Sequence, residues 1–259
     1  MPRFVKQRPL AAPGSIPAVL RMFENEMRFY QEIAPVVDVR VPACYLATAD
    51  ADGTRLELED LSEWSEGASP LAAAILLAHL HGRWQGMATA RWPWLRRAGE
   101  GVDLVAALYD GTWPRLRGRS DLTPSVREWG EHLLGHVPSA QRAASAAGPV
   151  TLAHGDASYR NMRTGPGGAV ALLDWEDVSA APGATDLAWL LVSSVRPDDW
   201  DVAVTAYGSD AGLADVMPSA VVQALLSLAD EPVGSAQARA WVRRIEAAAE
   251  RAPVGNVGA

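Results

Sequence analysis

Cysteine is almost missing from this chain of 259 residues; Cys44 is the only one. That excludes a disulfide framework within the chain and argues against a cysteine-based zinc site. On its own, Cys44 reads as a small buried hydrophobe in a strand. Long apolar runs are missing too. The longest, "LAAAILLAHL" at 71–80, is too short to span a bilayer. The opening "MPRFVKQRPL" has charge but no apolar core, so no signal peptide is expected and a cytoplasmic location is the default. No basic stripe stands out, and the formal charge of −8 argues against non-specific nucleic-acid binding. No internal repeat is visible. His79, His81, His132 and His136 read as helix residues, with no H-E-x-x-H or similar metal spacing.

What is present is an ordinary globular composition, 49% hydrophobic and 21% charged, with length for one large domain or two lobes. "RFVKQ" (3–7) alternates and predicts a short strand. A helix is expected over 15–35, capped by Ser15, with Pro17 in its first turn and Pro35 at its end. Steps of 100° put Val19, Phe23, Met27, Tyr30 and Ala34 on its apolar face. Glu26 falls at the edge of that face and Glu24 points away. Residues 41–61 read as two strands joined by a turn at Asp50–Thr54. Pro70 opens a long helix, and the chain is then mainly helical, with interruptions at 92–94 and 113–114.

"PVTLAH" predicts a buried strand, and "NMRTGPGGAVALLDW" a hairpin turning on Gly165–Gly168. The tail is helical. The tryptophans suit core packing better than a ligand box. The fold class expected is α+β with two unequal lobes: a small one over 1–60, a polar joint over 61–68, and a larger helical part over 69–259.

The chemistry sits in "TLAHGDASYRNMRT" (151–164) and "ALLDWED" (171–177). Asn161 precedes one strand of the hairpin and Asp174 follows the other, so the pairing makes them neighbours. An amide oxygen and a carboxylate then converge on one point. Two hard oxygen ligands suit Mg²⁺, which keeps its other positions for water and phosphate. Asp156 lies one loop away, free to accept a hydroxyl proton or orient the hydroxyl. Phosphoryl transfer needs this arrangement, because its catalysis is mainly positioning and charge neutralisation. The bland reading of the same loop is Asp and Asn capping turns. Glu176 and Asp177 read as surface carboxylates, and Glu57, Glu59, Glu63 and Glu66 as solvated.

"HGDASYRN" followed by "DWE" resembles the catalytic-loop and metal-loop signature of the aminoglycoside phosphotransferase and choline kinase superfamily. This is the small-molecule branch of the protein-kinase-like fold, with H-G-D in place of H-R-D. The resemblance implies a two-lobed kinase-like fold, ATP as co-substrate, Mg²⁺, and a small-molecule hydroxyl acceptor. It implies Asp156 as catalytic base and Asn161 and Asp174 as metal ligands. "RFVKQ" resembles the strand carrying the phosphate-binding lysine, Lys6, with Glu26 as its helical partner. "LELEDL" (56–61) resembles the strand entering the adenine-holding hinge, with Glu59 and Leu61 on the nucleotide. "TDLAWLL" resembles the helix whose aspartate, Asp186, steadies the catalytic loop, of which His154 is a structural member.

In that family a glycine-rich hairpin precedes the lysine strand and covers the phosphates. Here five residues precede Lys6 and none is glycine. The expectation is a sequence that begins late, or a truncated small lobe with an exposed sheet edge. The leading reading is a small-molecule kinase. The competing readings are a catalytically impaired kinase-like module that binds a nucleotide or a partner, and a metal-dependent hydrolase.

Overall fold

The structure, a computed structural model, describes residues 2–252. The first part is a three-stranded antiparallel sheet with one helical arm. Strand β1 (Arg3–Pro9) pairs with β3 (Gly53–Glu59), which pairs on its other side with β2 (Cys44–Asp50). β3 is therefore central. It alternates Leu56 and Leu58 inward, at 2% and 5% exposure, with polar residues between. β1 and β2 are edges. Cys44 opens β2 and is exposed, not buried as its type suggested.

Between β1 and β2 the expected single helix is broken. α1 (Ile16–Val19) ends at Leu20, and Arg21 takes a left-handed conformation (φ 53°) before α2 (Met22–Arg28) starts. The buried side chain of Asn25 donates to the Leu20 carbonyl at 2.9 Å and so satisfies the open end of α1. Ser15 stands at the start of α1, but its hydroxyl makes no capping bond. α2 then runs into a wider π-helical turn, Phe29–Ile33. Break and turn together rotate the inward face. Asn25, Glu26, Phe29, Tyr30 and Ile33 are buried, while Val19 is exposed.

β4 (Ser65–Glu66) then leads into α3 (Pro70–Trp84), where the Ser69 hydroxyl accepts from the Ala72 amide at 3.2 Å. α4 (Ala88–Arg91), β5 (Arg96–Arg97), α5 (Val102–Leu116), α6 (Pro124–Leu133) and α7 (Val137–Ala146) follow. Trp113 and Pro114 do not interrupt the chain; they lie in the last turn of α5. Trp113 is buried edge-on against Gly130 of α6, where a β-carbon would meet its ring at 1.9 Å.

Strand β6 (Val150–Ala153) precedes the polar loop, and β7 (Met162–Thr164) with β8 (Val170–Leu172) forms the hairpin. β9 (Ser179–Pro182) pairs antiparallel with β6 and parallel with β5. The chain closes with α8 (Ala184–Ser193), α9 (Trp200–Tyr207), α10 (Leu213–Ala229) and α11 (Ala236–Arg251). One contiguous apolar core joins these helices to the three small sheets, with Trp113, Trp175 and Trp200 fully buried. No described helix is long and apolar enough to cross a membrane.

Candidate active site

The loop after β6 is held from below by Asp186, in the first turn of α8 and 1% exposed. Its carboxylate accepts from the backbone amides of His154 (2.7 Å) and Gly155 (2.9 Å) and bonds His81 Nε2 (3.0 Å). His81 Nδ1 in turn meets the Tyr207 hydroxyl at 2.9 Å. Burial alone would raise the Asp186 carboxyl. The His81 contact and the loop amides outweigh it and hold the group below its ordinary value. Gly155 has φ 88°, and a β-carbon there would lie 2.3 Å from the Asp177 carbonyl oxygen, so the loop packs against the turn at Asp177 only with glycine. His154 Nε2 donates to the Leu173 carbonyl at 2.8 Å, and Nδ1 accepts from the Asp156 amide at 3.2 Å. Those partners fix the neutral Nε2–H tautomer.

Asp156 is aimed by two donors. Trp189 Nε1 bonds Oδ1 at 2.5 Å and Asn161 Nδ2 bonds Oδ2 at 2.8 Å. Asn161 Nδ2 also reaches the Asp156 carbonyl at 3.0 Å. Both partners are acceptors, so the amide nitrogen must face them, and the amide oxygen is left for the cleft. The Leu173 amide donates to the Asn161 carbonyl at 2.8 Å, extending the hairpin ladder and setting Asp174 beside Asn161. Both residues line the main cleft. Asp174 itself has φ 58°, a left-handed conformation uncommon outside glycine and typical of residues that function constrains.

Across the cleft, Lys6 sits among three carboxylates. Its Nζ lies 2.7 Å from Glu26, 2.5 Å from Asp174 and 3.6 Å from Glu176. Arg8, the next residue on the same face of β1, bonds Glu176 at 2.9 Å. Lys6 is the only lysine in the sequence; arginine fills every other basic position. Burial would lower the Lys6 ammonium, but Glu26 and Asp174 carry it above its ordinary value. Burial pushes Glu26 up to about 7, against the pull of Lys6. Glu176 is also raised, by burial and by Asp174. Behind this cluster Trp175 stacks on Phe29 with centroids 4.0 Å apart and lies 4.4 Å from the His154 ring.

The cleft has a volume of about 480 Å³, within the usual range of small-molecule sites. Lys6, Glu26, Asn161 and Asp174 form one end, and Leu58, Asp60 and Leu61 the other. Glu59 lines it too, but its carboxylate is committed to Arg40 at 2.6 Å and to the Ala43 amide at 3.0 Å. It is therefore paired, not solvated. A second cavity of about 170 Å³ opens beside the loop, lined by Gly155, Asp177 and Trp189 among others. The side-chain amide oxygen of Asn161 and the carboxylate of Asp174 are hard donors on one wall, and they fit a small divalent cation.

The profile of the phosphotransferase enzyme family matches residues 4–220. The chain belongs to this family. The fold is also that of solved phosphotransferases. The structure resembles spectinomycin phosphotransferase APH(9)-Ia in complex with ADP and spectinomycin, at a TM-score of 0.56 and 10% identity over 96% of this chain and 92% of that one. Choline kinase LicA from Streptococcus pneumoniae gives 0.55 at 17% identity, over 96% and 86%. A microcompartment-associated aminopropanol kinase gives 0.52 at 19%, over 96% and 82%. No curated protein matches.

Within this phosphotransferase the structure brings Lys6, Glu26, Asn161 and Asp174 into one cleft, and Asp156, His154 and Asp186 into one hydrogen-bonded loop. Asp156 reaches the cleft only through Asn161. Glu176 was expected at the surface; the bonds to Arg8 and Lys6 draw it into the cluster instead. Asp177, also expected at the surface, instead faces the cavity beside Trp189, 3.7 Å from Arg96, and burial raises its carboxyl. Trp189 was not singled out from the sequence. Its signal was its place three residues after Asp186, on the same face of α8. The sole lysine was a stronger signal than its strand.

Proposed function

We propose that this protein is a cytoplasmic, ATP- and Mg²⁺-dependent kinase that transfers the γ-phosphoryl group to a hydroxyl of a small molecule. The observation that carries the reading is the Asp156–Asn161 pair, with Asn161 and Asp174 facing the same cleft as the sole lysine. Lys6, oriented by Glu26, binds the α/β-phosphates. Leu61 and the backbone around Glu59 hold the adenine end. Asn161 and Asp174 hold Mg²⁺, which neutralises charge on the phosphates when bound. Asp156 receives the acceptor's hydroxyl proton as the oxygen bonds to the γ-phosphorus and the bond to the β-phosphate bridging oxygen breaks, releasing ADP. Trp189 and Asn161 keep its carboxylate aimed, and His154 and Asp186 fix the loop. The acceptor enters by the cavity beside Trp189. The spectinomycin phosphotransferase of similar fold binds both ADP and spectinomycin, which supports a nucleotide and a small-molecule acceptor here.

The test is incubation with MgATP and a panel of amino alcohols, sugars, aminoglycosides and macrolides, followed by ADP release. Asp156→Ala should lower kcat by about 10²–10⁴-fold on any substrate found. Equal turnover by wild type and Asp156→Ala would remove the role assigned to Asp156. Stabilisation of the fold by MgATP with no transfer to any acceptor would favour the binding-module reading.

A further inference from the structure

The lysine cluster leaves a question of donors. Lys6 has three N–H groups, and four oxygens of three carboxylates surround its nitrogen: Glu26 at 2.7 and 2.9 Å, Asp174 at 2.5 Å and Glu176 at 3.6 Å. A nucleotide's terminal phosphate needs further positive donors in this cleft. Among the described residues β1 pairs only with β3, so no neighbouring strand offers backbone amides over that end.

We infer that Arg8 is a second phosphate-binding residue, which grips the terminal phosphate of the nucleotide while it keeps its bond to Glu176. Four observations carry this. Lys6 and Arg8 are two apart on a strand, so they share a face, about 7 Å from each other along β1. Arg3 stands opposite Glu59 and Pro9 opposite Gly53, so β1 runs outward from the Leu61 end of the cleft. A nucleotide with its base at Leu61 meets Lys6 first and Arg8 beyond it. Arg8 uses one of its five donors, on Glu176 at 2.9 Å, and its side chain is 35% exposed at the cleft wall. Its guanidinium also lies 4.7 Å from the centroid of the Phe23 ring, which holds the planar fork in place.

Guanidinium geometry matches two phosphate oxygens at once, which an ammonium cannot do. The third cation on the cleft wall, Arg163, has fewer donors to spare than Arg8. Its Nη1 is bonded to the Arg160 and Met162 carbonyls at 3.0 and 2.8 Å.

The inference rests on the nucleotide reading of the cleft, and the test separates the two. Wild type, Arg8→Gln and Arg8→Lys are titrated calorimetrically with MgATP and with AMP, and their melting curves are compared. Arg8→Gln should weaken MgATP about ten- to a hundredfold and change AMP by less than about twofold. Arg8→Lys should recover part of the loss, because it keeps the charge but not the fork. Should Arg8→Gln fail to fold, Arg8→Lys decides alone by the same contrast of MgATP against AMP. An unchanged MgATP affinity in Arg8→Gln, or an equal loss for both ligands, overturns the role of Arg8 and leaves the cleft reading standing. Failure of wild type to bind either nucleotide overturns both.

Discussion

Lys6 and Glu26 meet at one end of the cleft because a strand and a helix each present one inward position there. The family resemblance named Glu26 as the partner of Lys6, and the helical step agreed, with Glu26 at the edge of the apolar face and Glu24 pointing away. The place of Glu176 was not legible in the sequence. Its partner Arg8 is 168 residues away in the chain, and no local pattern reports a contact of that range. The crowding has a measurable sign. Glu26 sits at about 7 in the folded protein, against an ordinary value of 4.5. The folded state therefore holds a proton that the unfolded chain has lost. The contribution of Glu26 to stability is full below about 4.5 and falls away as pH rises through about 7. In metal-free buffer, wild type should lose melting temperature relative to Glu26→Gln between pH 5 and pH 8. A constant difference across that range would place the proton elsewhere.

At the scale of elements, β1, β2, β3, β6 and the hairpin followed the sequence; β4, β5 and β9 were not read from it, and the helix at 15–35 is broken. Periodicity reads side-chain direction but not the backbone at one residue, so Arg21 in a left-handed conformation was invisible. The signal lay in Asn25, a polar residue on the inward face, which bonds the Leu20 carbonyl five positions back. Proline misled in the opposite direction. Pro114 marks a break by the usual rule, yet near the end of α5 it costs little helix. Arg21 is exposed and a left-handed arginine is strained, so Arg21→Gly should raise stability by about 0.5–1 kcal/mol in urea unfolding. A loss of stability would mean that the arginine side chain holds the break open.

Across the whole molecule, Trp175 is where the parts meet. It lies between Phe29 of the helical arm and His154 of the loop after β6, fully buried. Trp175→Ala should cost about 3–5 kcal/mol in unfolding free energy, with Trp175→Phe far milder. A small effect of Trp175→Ala would show that the two parts are joined elsewhere. The two-lobed α+β class was readable from the order of strands and helices, because that order limits the available layers. The cavity beside Trp189 was not, because α5, α7, α8 and α10, far apart in the chain, each contribute only one to three residues to it. One feature reaches beyond the reaction. With its sole side-chain amine enclosed at 14% exposure, the protein gives acylating reagents and isopeptide-forming ligases one guarded address. Because that amine is part-buried, paired and held protonated, such reagents would reach it and the cleft around it only where the cluster opens. Tethering through the exposed thiol of Cys44 would leave the cleft open.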